Sequence, residues 1–155
     1  MNNKLKKSLK LNENDVLVLE EIVERDVRIT TPAEAFTVAF EDAAAFSPNW
    51  KDVIEQSKTL QFEKHTPELA INSVKSFIVN TEDYIRVVDS VNDQLDTKRP
   101  RSSFVTRMAI TALLIKLRNR SEFKENIKNG ISIEQFASMS IDEKLNAMYK
   151  ILLKL

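Results

Sequence analysis

Seven basic side chains gather between residues 98 and 120, KRPRSSFVTRMAITALLIKLRNR, with no Asp or Glu among them, in a chain of 155 residues whose formal charge is zero. Lys98, Arg99 and Arg101 stand immediately before Ser102 and Ser103, hydroxyl residues of the kind that cap helices, and Arg107, Lys116, Arg118 and Arg120 follow. Cations at a helix N-terminus oppose the macrodipole, by roughly 0.3–1 kcal/mol each when exposed at low ionic strength. A bound anion removes that cost, and free backbone N–H groups beside hydroxyls form a phosphate or carboxylate site. The pattern therefore points to an acidic partner, duplex DNA or an acidic protein surface. A blander account stands beside it: residues 12 to 46 hold nine Asp or Glu against two Arg, so the two segments could compensate one another within the chain.

Other residues that could do chemistry lack the company they would need. His65 is the only His, and a metal site there requires convergence of Glu63 and Glu68, so a surface His is expected. The acidic pairs Glu20 and Glu24, and Glu82 and Asp83, lack the apolar surroundings that would separate two pKa values for acid–base work. Trp50 and Phe62 are expected to fix a central connector to the core; base stacking needs aromatics interleaved with basic residues, and only Phe104 lies near the charged segment.

The composition narrows the function further. There is no Cys, hence no disulfide, thiol chemistry or Cys-type zinc site, and the single Gly, at 130, excludes Walker and Rossmann phosphate loops. The expectation is a non-enzymatic protein without cofactor or metal. Hydrophobic residues at 43% and charged residues at 30% are values of a globular protein, no apolar run approaches a bilayer span, and the basic N-terminus carries no signal-peptide core. Cytoplasmic location and no membrane partner are the corresponding expectations.

The elements that must position the basic segment are mostly helical. Residues 1 to 10 hold four Lys and no acid, with Leu5, Leu9 and Leu11 partly alternating against Lys6, Ser8 and Lys10, a short strand or a basic arm. From 14 onward Val16, Leu19, Ile22 and Val23 fall on one helical face. Thr31, Pro32 and Glu34 form a second helix start, running to about Phe46 and stopped by SPN. One further helix is expected around Trp50, Val53 and Ile54. Thr66-Pro67-Glu68 is another start signal, with Leu69, Ala70, Val74 and Phe77 or Ile78 at helical spacing, although the same stretch reads as a strand up to Val79. NTED at 80 to 83 starts a helix carrying Tyr84, Val88, Val91 and Leu95. A long helix is expected from about 102 to 119, Gly130 closes a polar stretch, and ISIEQFASM forms a short helix. In the last helix Ile141, Leu145, Met148, Leu152 and Leu155 follow the 4-3-4-3 spacing of a coiled-coil seam, offering self-association.

An internal echo links two parts of the chain. KSLKLNENDVLVLEEIVERDVRITTPAEAFTVAF and KSFIVNTEDYIRVVDSVNDQLDTKRPRSSFVTRMAI each open with Lys-Ser, reach an Asn near a cap position (Asn12, Asn80), run an amphipathic helix, turn, and start a second helix behind hydroxyl residues, with two residues inserted in the second turn. This order of strand, helix, turn and Ser-initiated helix resembles the ribbon-helix-helix family of DNA-binding proteins. The resemblance implies that two strands pair into a ribbon that enters the major groove, with Lys6, Ser8 and Lys10, and Ser76 and Ile78, projecting outward. It also implies a phosphate clamp at Ser102 and Ser103, and an acidic first copy acting as the intramolecular partner of the second. Ile78 is apolar where the family pattern wants a base-reading residue, and neither turn contains the usual Gly.

The expectation drawn from all of this is a mainly α fold, a compact multi-helix bundle over residues 1–155, with a short β-ribbon if the resemblance holds. Its sub-units are 1–47 and 74–120, with a helical connector 48–73 and a C-terminal helical extension 121–155. The expected function is binding of duplex DNA through Lys98, Arg99, Arg101, Ser102, Ser103, Arg107, Lys6, Ser8 and Lys10; a helical protein-interaction or assembly module is the alternative.

Overall fold

The computed structural model describes residues 3–63, 66–130 and 140–153. Along the chain these form β1 (Lys4–Lys10), α1 (Glu13–Arg25), α2 (Pro32–Phe46), α3 (Trp50–Ser57), β2 (Val74–Asn80), α4 (Thr81–Leu95), α5 (Ser102–Gly130) and α6 (Ile141–Leu152). The fold is mainly α with one two-stranded antiparallel sheet. The chain divides into two compact units, residues 1–115 and 116–155, and α5 begins in the first and ends in the second. His65 and the ISIEQFASM segment lie outside the described residues.

Short polar residues start α1 to α4. The Asn12 side chain accepts from the Asp15 N–H at 2.7 Å while the Asp15 carboxylate accepts from the Asn12 N–H at 2.9 Å, a reciprocal cap on α1. Asn80 caps α4 through the Glu82 and Asp83 N–H groups, Thr31 caps α2 ahead of Pro32, and Asn49 caps α3. A chain with one Gly must end helices otherwise: Ser47 (φ 43°) and Asp96 (φ 53°) take the left-handed conformation after α2 and α4.

Residues 66 to 79 are not a helix. Thr66 to Ser73 form a loop held to α1, where the Glu20 carboxylate accepts from the N–H groups of Glu68 (2.6 Å) and Leu69 (3.0 Å), and the strand begins at Val74. Phe77 and Val79 point inward from β2 and are buried, as Leu9 is from β1; helical spacing would have spread them round a cylinder. Gly130 is the last residue of α5, which runs well beyond the expected end near residue 119.

Strand pairing relates the two halves of the echo. The register runs from Lys4 opposite Asn80 to Lys10 opposite Val74, with Ser8 opposite Ser76, the residues that follow Lys in KSLKLN and KSFIVN. Equivalent positions thus meet at the Ser8–Ser76 pair, as they do about a two-fold axis. The buried positions of the second helices repeat too. Ala35, Phe36, Ala39, Phe40 and Ala43 of α2 answer one for one, at a constant interval, to Val105, Thr106, Ala109, Ile110 and Leu113 of α5. The two additional residues sit in α4, with 15 residues against 13 in α1, and not in the turn, since segments 26–31 and 96–101 are equal in length.

Each second helix is tied to the other half's strand. Thr37 of α2 donates its hydroxyl to the Ile78 carbonyl at 2.6 Å, and Arg107 of α5 donates Nη2 to the Lys10 carbonyl at 3.0 Å. Thr37 and Arg107 are equivalent positions, as are Ile78 and Lys10. Phe36 stacks on Phe77 with ring centroids 4.3 Å apart, adding about 0.5–1.5 kcal/mol to the area it buries. Trp50, fully buried, fixes the connector: its indole N–H donates to Ser90 at 2.9 Å and its backbone N–H to the Gln94 side chain at 2.6 Å.

Candidate nucleic-acid interface

The alternation of the two strands sends one set of side chains into the core and the other out. Lys4, Lys6, Ser8 and Lys10 of β1 and Val74, Ser76, Ile78 and Asn80 of β2 are all exposed. Paired residues of an antiparallel ladder share a face, so these eight make one surface, carrying three Lys and no carboxylate. Lys4, Val74 and Asn80 extend the outward set beyond the positions the sequence singled out; the signal was the same period of two, carried one step further. Lys7 faces the other way, with Nζ 4.6 Å from the Tyr84 ring centroid.

α5 is tied to the ribbon backbone at one end. Arg107, in its second turn, touches Lys10, which brings that end of the helix to the Lys10–Val74 end of the ribbon. The Arg101 carbonyl accepts the first helical bond, from the Val105 N–H at 3.0 Å. Arg101 therefore holds the N-cap position, and Ser102, expected there, is the first helical residue, followed by Ser103. An Arg cap has no side-chain oxygen for the orphan N–H groups, and no acidic residue occupies the first turn. Lys98, Arg99 and Arg101 are exposed, and among the described residues they enter no ion pair.

Arg107 is placed differently from its neighbours in the basic segment. Its Nε donates to both Asp15 carboxylate oxygens at 3.0 Å, and Asp15 is 2% exposed. This is the internal compensation that acidic and basic segments can offer one another, and it engages a single arginine of the segment's first half. Lys116, Arg118 and Arg120 belong to the second unit.

The corresponding place in the first half is closed by its own residues. At the start of α2 the Thr31 hydroxyl accepts from the Glu34 N–H at 3.3 Å, and the Glu34 carboxylate takes the Thr30 N–H at 3.1 Å and the Thr30 hydroxyl. Arg28, before this helix, is bound to Asp26 through Nε (3.0 Å) and Nη2 (2.6 Å). Those hydrogen bonds raise its pKa above the usual guanidinium value, against a smaller opposing effect of burial.

Among the described residues no three His, Cys, Asp or Glu come together as a metal site, and no helix is long and apolar enough to cross a membrane. Of the acidic pairs, Glu20 serves the 66–73 loop, and Glu82 and Asp83 sit in the first turn of α4, where carboxylates complement the macrodipole. No protein-family model, curated protein or solved structure matches the chain.

Proposed function

We propose that this chain is a non-enzymatic DNA-binding protein, built as a single-chain counterpart of a ribbon-helix-helix dimer. On this reading the β1–β2 ribbon lies in the major groove, which admits a two-stranded ribbon. The start of α5, with Lys98, Arg99, Arg101, Ser102 and Ser103, meets a phosphate beside it. The observation that carries the reading is the outward ribbon face, with Lys4, Lys6 and Lys10 exposed, no carboxylate among its eight residues, and an uncapped basic helix start at one end. The two-fold relation of the halves supports it, since equivalent residues face each other at Ser8 and Ser76. The start of α2, self-capped by Glu34, contributes no second phosphate contact, so the grip on the duplex is one-sided.

Gel shifts on duplex DNA across a salt series test the proposal. If Lys4, Lys6, Lys10, Lys98, Arg99 and Arg101 each neutralise one charge of the duplex, from within the groove or at the backbone, the log–log slope of affinity against salt approaches about −5. Absence of duplex binding at low salt, or a slope unmoved by Lys6→Gln plus Lys10→Gln, refutes it.

A second reading, a protein-assembly module, has its own observation: Ile141, Leu145 and Met148, three positions of the 4-3-4-3 seam, are exposed on α6. Light scattering tests it. Stable self-association that persists without nucleic acid and is lost on Leu145→Asp favours this reading.

A further inference from the structure

Two outward residues of the ribbon are large and apolar, Val74 at 64% and Ile78 at 53% exposure. They are not there through a slip of register, because the inward positions of β2 are already filled by Phe77 and Val79, at 3% and 1% exposure. Ile78 lies directly opposite Lys6, and Val74 directly opposite Lys10. The face thus carries two apolar–cationic pairs, one on each side of the Ser8–Ser76 pair.

We propose that Ile78 and Val74 contact thymine methyl groups, making A·T base pairs a requirement of the preferred site. This inference rests on the DNA reading given above. Among the four bases only thymine presents an apolar group, its C5 methyl, on the major-groove edge, while a lysine ammonium is matched to the O6 and N7 acceptors of guanine. An apolar–cationic pair across the ribbon therefore suits a thymine beside a guanine. The charge of the face selects the occupant: Ile78 and Val74 cannot be covered without also covering Lys6 and Lys10, and a polyanion satisfies those cations where an apolar protein surface would bury them unpaired.

The test selects preferred duplexes for the full chain from a randomised library, then replaces thymine by deoxyuracil at the selected positions, which removes the methyl and leaves base pairing intact. The result expected is a loss of affinity of about fourfold per contacted methyl, from the transfer free energy of one carbon. The Ile78→Ser plus Val74→Ser protein, checked for its native Trp50 emission, should bind thymine and uracil duplexes alike. Duplex binding retained by the unmodified protein but indifferent to uracil overturns this inference and leaves the DNA reading standing. Failure to retain any duplex at low salt overturns both. Self-association without DNA that Ile78→Ser abolishes assigns the apolar pair to a second copy of the chain and also overturns the inference.

Discussion

Removing the Arg107 guanidinium separates structural charge from binding charge within one basic segment. Arg107→Met keeps much of the side-chain stem but leaves Asp15 at 2% exposure with the Asn12 N–H as its remaining hydrogen-bond donor. Breaking a buried pair by removing one partner costs about 3–5 kcal/mol. The Arg107 side chain is 36% exposed, so water reaches its end of the pair and the expected loss falls below that range, at about 2–3 kcal/mol. Trp50, the only tryptophan and fully buried, reports unfolding of the first unit by fluorescence. With a urea m-value of about 2 kcal/mol/M, the midpoint should fall by roughly 1–1.5 M. Replacing both partners, Asp15→Asn with Arg107→Met, should recover part of the loss, because no uncompensated charge then remains buried. The salt slope of duplex binding should be unchanged in Arg107→Met at a temperature where it is folded. A midpoint equal to that of the unmodified protein, or a double variant as unstable as the sum of its singles, refutes the assignment of Arg107 to a structural pair with Asp15.

The remaining predictions follow from other parts of the same frame. Arg99→Gln with Arg101→Gln should lower the magnitude of the salt slope by about 1.8, since each phosphate contact contributes about 0.9, and should raise the urea midpoint slightly, since two cations no longer oppose the helix macrodipole; an unchanged slope removes the α5 start from the interface. Asp96→Gly, at φ 53°, should raise stability by up to about 1 kcal/mol, read as a higher thermal midpoint, because a left-handed position carries a Cβ penalty that Gly lacks. Thr31→Ala should cost about 1 kcal/mol through the lost α2 cap, read by the same melt.

How much of this was legible in the sequence depends on how far apart the deciding residues lie. Asn12, Asn80 and Thr31-Pro32 could be read because a cap and its N–H partner are two or three residues apart. Residues 66 to 79 were ambiguous because Leu69, Ala70, Val74 and Phe77 satisfy a helical period while Val74 to Val79 satisfy a period of two. The choice is made by β1, which offers its edge from the other end of the first unit. Ser102 was misplaced by one position because hydroxyl residues favour the cap and the first turn alike, and the carbonyl that opens the helix belongs to Arg101. Arg107 was grouped with its neighbours by charge; its partner Asp15 is 92 positions away, and no local spacing encodes that.

The unequal charge of the two halves has a physical reason in the way they are joined. In a symmetric ribbon of two chains, any substitution that opens one helix start opens both, so anion contact and acidic scaffolding cannot be divided between them. Here both halves are one chain, and the crossed bonds of Thr37 to Ile78 and Arg107 to Lys10 hold each second helix on the other half's strand. Covalent linkage supplies an effective concentration on the order of millimolar, so pairing does not depend on how much protein is present. The first half is then free to carry acid: Asp15 neutralises Arg107, Asp26 neutralises Arg28, and Glu34 closes the α2 start. Neutral charge overall and a local cationic face are consistent with one another, because none of the eight outward residues of the ribbon is Asp or Glu. Moving one carboxylate onto that surface, as in Ser76→Asp, changes the net charge by a single unit. If the ribbon is the contact face, that change should weaken duplex binding far more than Ala33→Asp at the α2 start.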